Sequence, residues 1–326
     1  MEIIHANENF EDINQIRSIR DFDAEISLYG NSDYKLTLPT RAYEKYPIEI
    51  DHIIYIPGTE FGGPVHRRVT SGNVVEIYGK TWRGLLNKNL IIPPEGEAYR
   101  VVSGNAQEVV TSLLGNHFGS LFTVLPSSVT LSDQFRYDSI GDGLQRMLDK
   151  AGAKLIIMQA DSGVNLEIKK VSDLSDEIEF SEDYGVLIKI DDDRSKNINH
   201  VVGLGQGELT DRLVMQAWLL PDGSITYDST HPERPSGEAE YTQKVDYPNA
   251  EDENQLKEAI DKTFAESKAT VKTEMDISKS AITGDLGDIV SSRDRLTGLV
   301  VTQSIDKIVL KISDTGKVEM RYGVKE

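Results

Sequence analysis

The sequence contains no cysteine and only two tryptophans among its 326 residues. Without cysteine the chain has no disulfide, no thiolate zinc site and no cysteine nucleophile. Its length predicts two or three domains, because single cores rarely grow beyond about 250 to 300 residues. A hydrophobic content of 38% with 27% charged residues is ordinary for a globular protein and predicts sizeable cores.

Long apolar runs are missing as well. No run approaches the roughly 18 to 20 residues that a membrane helix requires. Residues 1–13 have neither the basic region nor the apolar region of a signal peptide. We therefore expect a soluble protein that is made in a cytoplasm.

Positive charge is scarce. The chain has 54 acidic residues against 35 lysines and arginines, which gives a formal net charge of −19. An acidic surface repels phosphate, so the composition argues against a general nucleic-acid binder.

The sequence also lacks two common catalytic motifs, namely the GxSxG elbow and the P-loop. Its six histidines include no pair at the i, i+4 spacing of a helical zinc site. Residues 203–207 imitate part of a dinucleotide fingerprint, but Glu208 stands where the final glycine belongs. We predict no catalytic, cofactor-binding or metal-binding residue. Paired hydrolase carboxylates leave no spacing signal, so the sequence does not test them.

The patterns that are present predict an α+β fold that is mainly β. Short alternating strands with turn signals fill the first hundred residues, including residues 48–56, and return after about residue 190, which is typical of barrels or sandwiches. Between them Asn105 is predicted to cap one helix and either Ser139 or Asp138 a second, and a polar turn at residues 161–163 predicts a hairpin. Residues 251–269 have the apolar spacing of one further helix.

One corner of the chain concentrates unusual residues. Residues 62–63 are a glycine pair before a strand, and a second strand ends at Gly79. Trp82 and Arg83 follow at once, and Gly84 closes the group. Two tight glycine sites and a tryptophan within six residues indicate either a binding site or a structural joint.

Five segments carry a family resemblance: FDAEISLYG (22–30), TEFGGPV (59–65), GKTWRGLLNKNLIIPP (79–94), NHVVGLGQGEL (199–209) and GDLGDIVSSRDRLTGLVV (284–301). In this order they resemble the tail hub family of siphophages and prophages, which is akin to contractile-phage baseplate hubs and type VI secretion spike hubs. The resemblance covers roughly residues 20–326. No catalytic motif of that family belongs to these segments.

The resemblance implies a trimeric ring at the distal end of the phage tail tube, in the virion. Each chain is expected to supply two similar β-barrel tube domains, so that three chains form a pseudo-sixfold ring that conducts DNA during ejection. The expected domains are a tube domain at 1–104, an α+β module at 105–190 and a second tube domain at 191–326 with the inserted helix at 251–269. Expected partners are two further copies, the distal tail protein and tail-fibre or tip proteins, while DNA passes through the lumen without specific binding.

The resemblance also favours the joint over the binding site. The glycines would permit a tight turn at the end of the strand, and Trp82 would anchor this turn in the core. Arg83 would pair with a carboxylate. A turn at residues 287–288 would lead into a strand of the second tube domain. The predicted structural or interface residues are Gly62, Gly63, Gly79, Trp82, Arg83, Gly84, Gly287 and Asp288.

Two alternative functions remain open. A tail-associated cell-wall hydrolase would use carboxylates such as Glu60 or Asp288, and a carbohydrate-binding adhesin would stack sugars on Trp82, Trp218 or the tyrosines. The net negative charge of the chain has two alternative explanations. Carboxylates that line the lumen of the ring would repel DNA, or the net charge would keep the subunit soluble before assembly.

Overall fold

The computed structural model describes residues 1–325 except 162, 177–178, 182–186, 194–197, 268–269, 277–283, 294 and 299. Contacts divide the chain into two compact units. The first comprises Met1–Lys189 with Thr273–Glu326, and the second comprises Ile190–Lys272. The domain boundaries at residues 104 and 190 stay a prediction.

Strands dominate the chain. In order they are β1 (Ile3–Ala6), β2 (Asp12–Ile16), β3 (Asp21–Ser27), β4 (Asp33–Pro39), β5 (Ile53–Tyr55), β6 (Gly62–Ser71), β7 (Val74–Lys80), β8 (Arg100–Asn105), β9 (Phe122–Val124), β10 (Thr130–Phe135), β11 (Ala153–Ala160), β12 (Gly163–Lys170), β13 (Glu179–Ser181), β14 (Leu187–Asp193), β15 (His200–Leu204), β16 (Val214–Leu219), β17 (Ile225–Thr226), β18 (Thr242–Asp246), β19 (Thr270–Asp276), β20 (Ile289–Arg293), β21 (Val300–Ser313) and β22 (Val318–Lys325). The α+β, mainly β class predicted from the sequence is confirmed.

The helices are α1 (Thr40–Lys45), α2 (Trp82–Leu86), α3 (Ala106–Leu114), α4 (Ile140–Lys150) and α5 (Glu253–Glu266). Asn105 caps α3 and Ser139 caps α4, as predicted, because each side chain accepts a hydrogen bond from a backbone N–H of the first turn. Asp252 caps α5 in the same way. The helix therefore begins two residues later than predicted, and residues 268–269 of the predicted helix lie outside the described residues.

One eleven-stranded sheet organises the first unit. Its order is β13-β20-β21-β3-β4-β7-β6-β5-β1-β2, with β22 also paired to β21. The antiparallel pairing of β21 with β3 joins the C-terminal strands to the N-terminal ones, with Leu310 opposite Ala24. This sheet is open, with β2 at one end, and the described strands do not close into a barrel.

Most strands of this sheet pack on one apolar core. Alternate residues of β3, β4 and β7 point inward, and Phe22, Leu36 and Ile77 are completely buried. Side chains of β1 and β21 enter the same cluster. The predicted strand at residues 48–56 is wrong in extent, because only Ile53–Tyr55 is extended and paired, while Asp51 has a φ of 68° that breaks the strand.

A second core lies under α3 and α4. The predicted hairpin is confirmed as β11 and β12, and β9 joins β12 in parallel. β8 and β10 form a separate antiparallel pair. The buried faces of α3 and α4 pack with these strands and with Trp82 in one cluster.

The second unit contains a four-stranded sheet of order β17-β16-β15-β18. Leu256, Ile260 and Phe264 of α5 are buried in its small core with Val201 and Ala217. Gly203 lies so close to Ile260 that a β-carbon there would come within 2.7 Å of the isoleucine side chain. β14 and β19 form a further two-stranded sheet.

Candidate functional site

The corner that follows β7 turns into the short helix α2. Thr81 is its N-cap, and its hydroxyl accepts a hydrogen bond of 3.3 Å from the backbone N–H of Gly84. All five residues of α2 are buried. Such a short helix cannot be stable by itself, so tertiary packing holds it.

Trp82 is the anchor of this corner. Its side chain is fully buried and stacks on Phe10 with ring centroids 5.8 Å apart. The same cluster contains Ala6 and Ile53 from the N-terminal strands and Leu144 from α4. Trp82 thus packs the sheet against the helical core.

The glycines around the corner are places where two parts of the chain touch. A β-carbon on Gly63 would lie 2.0 Å from the carbonyl oxygen of Lys80, and one on Gly84 would lie 2.0 Å from that of Ser32. A β-carbon on Gly79 would meet the ring of Tyr34 at 2.2 Å, and one on Gly62 would meet Tyr55 at 2.5 Å. No side chain fits at these four positions without a shift of the backbone or of a buried tyrosine.

Arg83 forms a buried ion pair with Glu60. Its Nε and Nη2 donate to the two carboxylate oxygens at 2.5 and 3.0 Å, and the two side chains are 8% and 10% exposed. Burial raises the pKa of Glu60, an effect that the Arg83 charge opposes. Arg83 also donates to the carbonyl oxygen of Leu155 at 2.8 Å.

Lys154, the neighbour of Leu155, forms a second buried pair. Its ammonium donates to both oxygens of Asp288 at 2.7 and 2.8 Å and to Asp285 at 2.8 Å. Burial opposes the charge, but the hydrogen bonds to Asp285 and Asp288 prevail and the pKa of Lys154 is raised. Asp288 further accepts the backbone N–H groups of Ser172 and Asp285, so its oxygens are well satisfied.

Gly287 completes the turn at Asp288. Its φ of 92° is the left-handed region that favours glycine, and its N–H donates to the carbonyl oxygen of Ile305 at 2.8 Å. The turn leads directly into β20, which begins at Ile289.

These contacts form one feature, which we call the ionic joint: Glu60, Arg83, Lys154, Asp285 and Asp288, linked through the carbonyl of Leu155. It brings together three segments that are far apart in sequence. The eight residues predicted as structural or interface positions lie in the joint or around the corner beside it. Whether any of them contacts a second chain stays a prediction.

Sequence reasoning missed Lys154 and its role. Lys154 and Asp288 are 134 positions apart, and a lysine in an alternating strand carries no mark of its partner. Glu60 and Asp288 were the candidate acids of the hydrolase alternative. Both carboxylates are instead buried, and each is paired with a cation of this chain: Glu60 with Arg83 and Asp288 with Lys154.

Trp218, a candidate sugar platform, is covered by two side chains. His200 stacks on it at 4.6 Å with an interplanar angle of 5°, and Arg234 lies over the ring at 5.2 Å. Trp218 is only 3% exposed and Trp82 is not exposed at all, so neither tryptophan ring is open to a sugar.

The described part of the chain contains no group of three or more histidines or carboxylates placed to hold a metal ion. Nor does any helix within those residues have the length and apolar character to span a membrane.

Residues 1–323 match the family model described as Siphovirus ReqiPepy6 Gp37-like protein. This chain belongs to that family. The Gp37-like match runs through both units and both ends of the ionic joint.

The Gp37-like chain shares its fold with solved tail proteins, two of them from prophages. The 43 kDa tail protein of prophage MuSo2 from Shewanella oneidensis is 13% identical, with a TM-score of 0.59 over 100% of this chain and 98% of that one. Prophage tail protein gp18 from Listeria monocytogenes is 13% identical, with a TM-score of 0.56 over 100% and 95%. The tail protein from Neisseria meningitidis is 10% identical, with a TM-score of 0.54 over 100% and 96%.

No curated protein matches the sequence. The resemblance to phage tail proteins that was inferred from the sequence is confirmed at the level of family and fold.

Proposed function

We propose that this Gp37-like protein is a structural hub of a phage tail tip, in which three copies form a ring that closes the tail tube and conducts DNA during ejection. The observation that carries the proposal is the shared fold: prophage tail proteins cover the whole of this chain and are themselves covered almost completely. The family match supports the same origin.

The open sheet of the first unit is consistent with a ring subunit. Within the described residues its end strands have one neighbouring strand each, and an unpaired edge is a template for another chain. In the ring, residues 1–104 and 191–326 supply the tube domains, and residues 105–190 lie between them as the α+β module. The distal tail protein and the tip or fibre proteins bind the ring in the virion, after synthesis in the host cytoplasm.

The ionic joint gives such a subunit a fixed geometry. A ring closes only when each copy presents its two edges at one angle, and a buried network with defined partners favours a single packing. The formal charge of −19 adds a second property, since carboxylates facing a channel repel DNA phosphates and reduce sticking.

Native mass spectrometry tests the stoichiometry. The expected species has three times the 36.3 kDa mass of the chain, at micromolar concentration and moderate salt. A monomer that persists at high concentration contradicts the ring. For the lumen, an electrostatic map of the assembled ring that shows a neutral or basic channel removes the role assigned to the carboxylates.

A further inference from the structure

The strand β2 is a free edge of the main sheet. Among the described strands it pairs only with β1, where Ile3 lies opposite Ile16 and His5 opposite Asn14. Its other side carries backbone N–H and C=O groups without a neighbouring strand. Ile13 on this strand is 43% exposed. The edge therefore accepts a further extended segment.

A cavity of about 390 Å³ lies beside this edge, and we call it the edge slot. One wall consists of residues 14–18 and the other of the end of β4, helix α1 and the residues after it. Ile16, Leu38 and Ile48 give it an apolar lining. An extended segment in the slot would thus pair with β2 and bury apolar side chains at the same time.

The charges of the edge slot are opposite to the charge of the chain. Its two charged residues are Arg17 and Lys45, and no carboxylate lines it among the described residues. Arg17 donates to Gln15 at 2.9 Å, and the Lys45 ammonium lies 5.1 Å from the centre of the Tyr46 ring. Neither cation forms an ion pair within the described residues, so both are available to an acidic partner.

We infer that the edge slot receives an acidic extended segment of a second copy of this chain, which adds a strand beside β2 and pairs its carboxylates with Arg17 and Lys45. The inference rests on the proposed ring. Charge complementarity selects the occupant, because each copy has a net charge of −19 while the slot holds two cations that form no ion pair among the described residues.

Cross-linking within mixed rings tests the contact directly. Copies labelled with ¹⁵N and unlabelled copies are mixed and treated with a water-soluble carbodiimide, which joins a lysine amine to a nearby carboxylate without a spacer. We expect Lys45 in isotopically mixed links to an aspartate or glutamate. Lys45→Arg is the matched control: it removes the amine but keeps the charge, so the link disappears and the ring persists.

Charge reversal tests the energy of the contact. Arg17→Glu with Lys45→Glu is expected to raise the dissociation constant between copies at least about tenfold, since attraction becomes repulsion. Arg136→Glu with Lys244→Glu reverses two exposed cations elsewhere and is expected to leave assembly unchanged. Circular dichroism of both variants must match the parent protein, as all four side chains are at the surface.

The outcomes separate the two proposals. If the parent chain forms trimers, but the slot variant assembles equally well and no mixed link contains Lys45, the slot inference is overturned and the ring stands. If the parent chain stays monomeric, the proposed function fails and the slot inference fails with it.

Discussion

The substitution Arg83→Met removes the cation from a buried pair and leaves its partner in place. Arg83 makes two hydrogen bonds to Glu60 and one to Leu155, and the paired side chains are 8% and 10% exposed. Removing one member of such a pair costs about 3 to 5 kcal/mol, because the remaining charge is buried without compensation. Against a total stability of roughly 5 to 15 kcal/mol, this is a large loss.

The loss should depend on pH, and its sign follows from Glu60. Burial raises the pKa of Glu60 in the folded protein, so folding favours its neutral form. That contribution is complete below the unfolded pKa and is lost as the pH rises through the raised folded pKa. Because Arg83 opposes the shift, its removal raises the pKa further. The loss of stability caused by Arg83→Met is therefore largest at alkaline pH. On acidification it shrinks by at most about 1.4 kcal/mol per pH unit, between the folded-state pKa of Glu60 in the variant and that in the parent protein.

The assay is urea unfolding at pH 8 and pH 5.5, followed by the fluorescence of Trp82 in a Trp218→Phe background, which makes Trp82 the only tryptophan. Adding Glu60→Gln to Arg83→Met should restore most of the stability, because Glu60 then no longer leaves a buried charge without a partner. Arg68→Met is the surface control: its partner Glu49 is 57% exposed, and the expected loss is below about 1 kcal/mol. An Arg83→Met protein that unfolds at the same urea concentration as the parent at pH 8 would refute the reasoning.

Three further stability predictions are checked by urea titration followed by circular dichroism, because Trp82→Ala removes the fluorescent probe. Trp82→Ala should cost about 3 to 5 kcal/mol through the cavity it leaves, and ring assembly should weaken with it; unchanged stability and assembly would mean that the corner is not a joint. Gly84→Ala should lower the free energy of unfolding by more than about 2 kcal/mol, because the new β-carbon meets the Ser32 carbonyl. Gly72→Ala is its control: the space around Gly72 is open, so only its φ of 57° should lower the stability, by about 1 kcal/mol. Ser139→Ala should cost about 1 kcal/mol through the lost cap of α4, and Ser139→Asp should retain it.

Helix starts and a hairpin could be predicted from local sequence patterns. Asn105 and Ser139 stand directly before apolar residues at helical spacing, so the starts of α3 and α4 were predicted correctly. The hairpin of β11 and β12 has a polar turn and alternating strands, and it was found for the same reason. Each of these signals lies within about ten residues of the structure that it specifies.

Pairing between segments far apart in the chain could not be predicted from the sequence. The contact of β21 with β3 joins segments some 280 positions apart, so no spacing marks it, and the shared sheet was not foreseen. Arg83 was expected to meet a carboxylate, but the identity of Glu60 and the adjoining Lys154 pair required the fold. α1 and α2 were missed because five or six residues carry too little helical periodicity to detect.

A cryo-electron microscopy reconstruction of the purified assembly tests the central claim most directly. The account predicts three copies around an open channel with pseudo-sixfold walls, residues 1–104 and 191–326 forming the wall and residues 105–190 lying between them. A reconstruction without a channel, or one in which these two segments do not form equivalent parts of the wall, would contradict it.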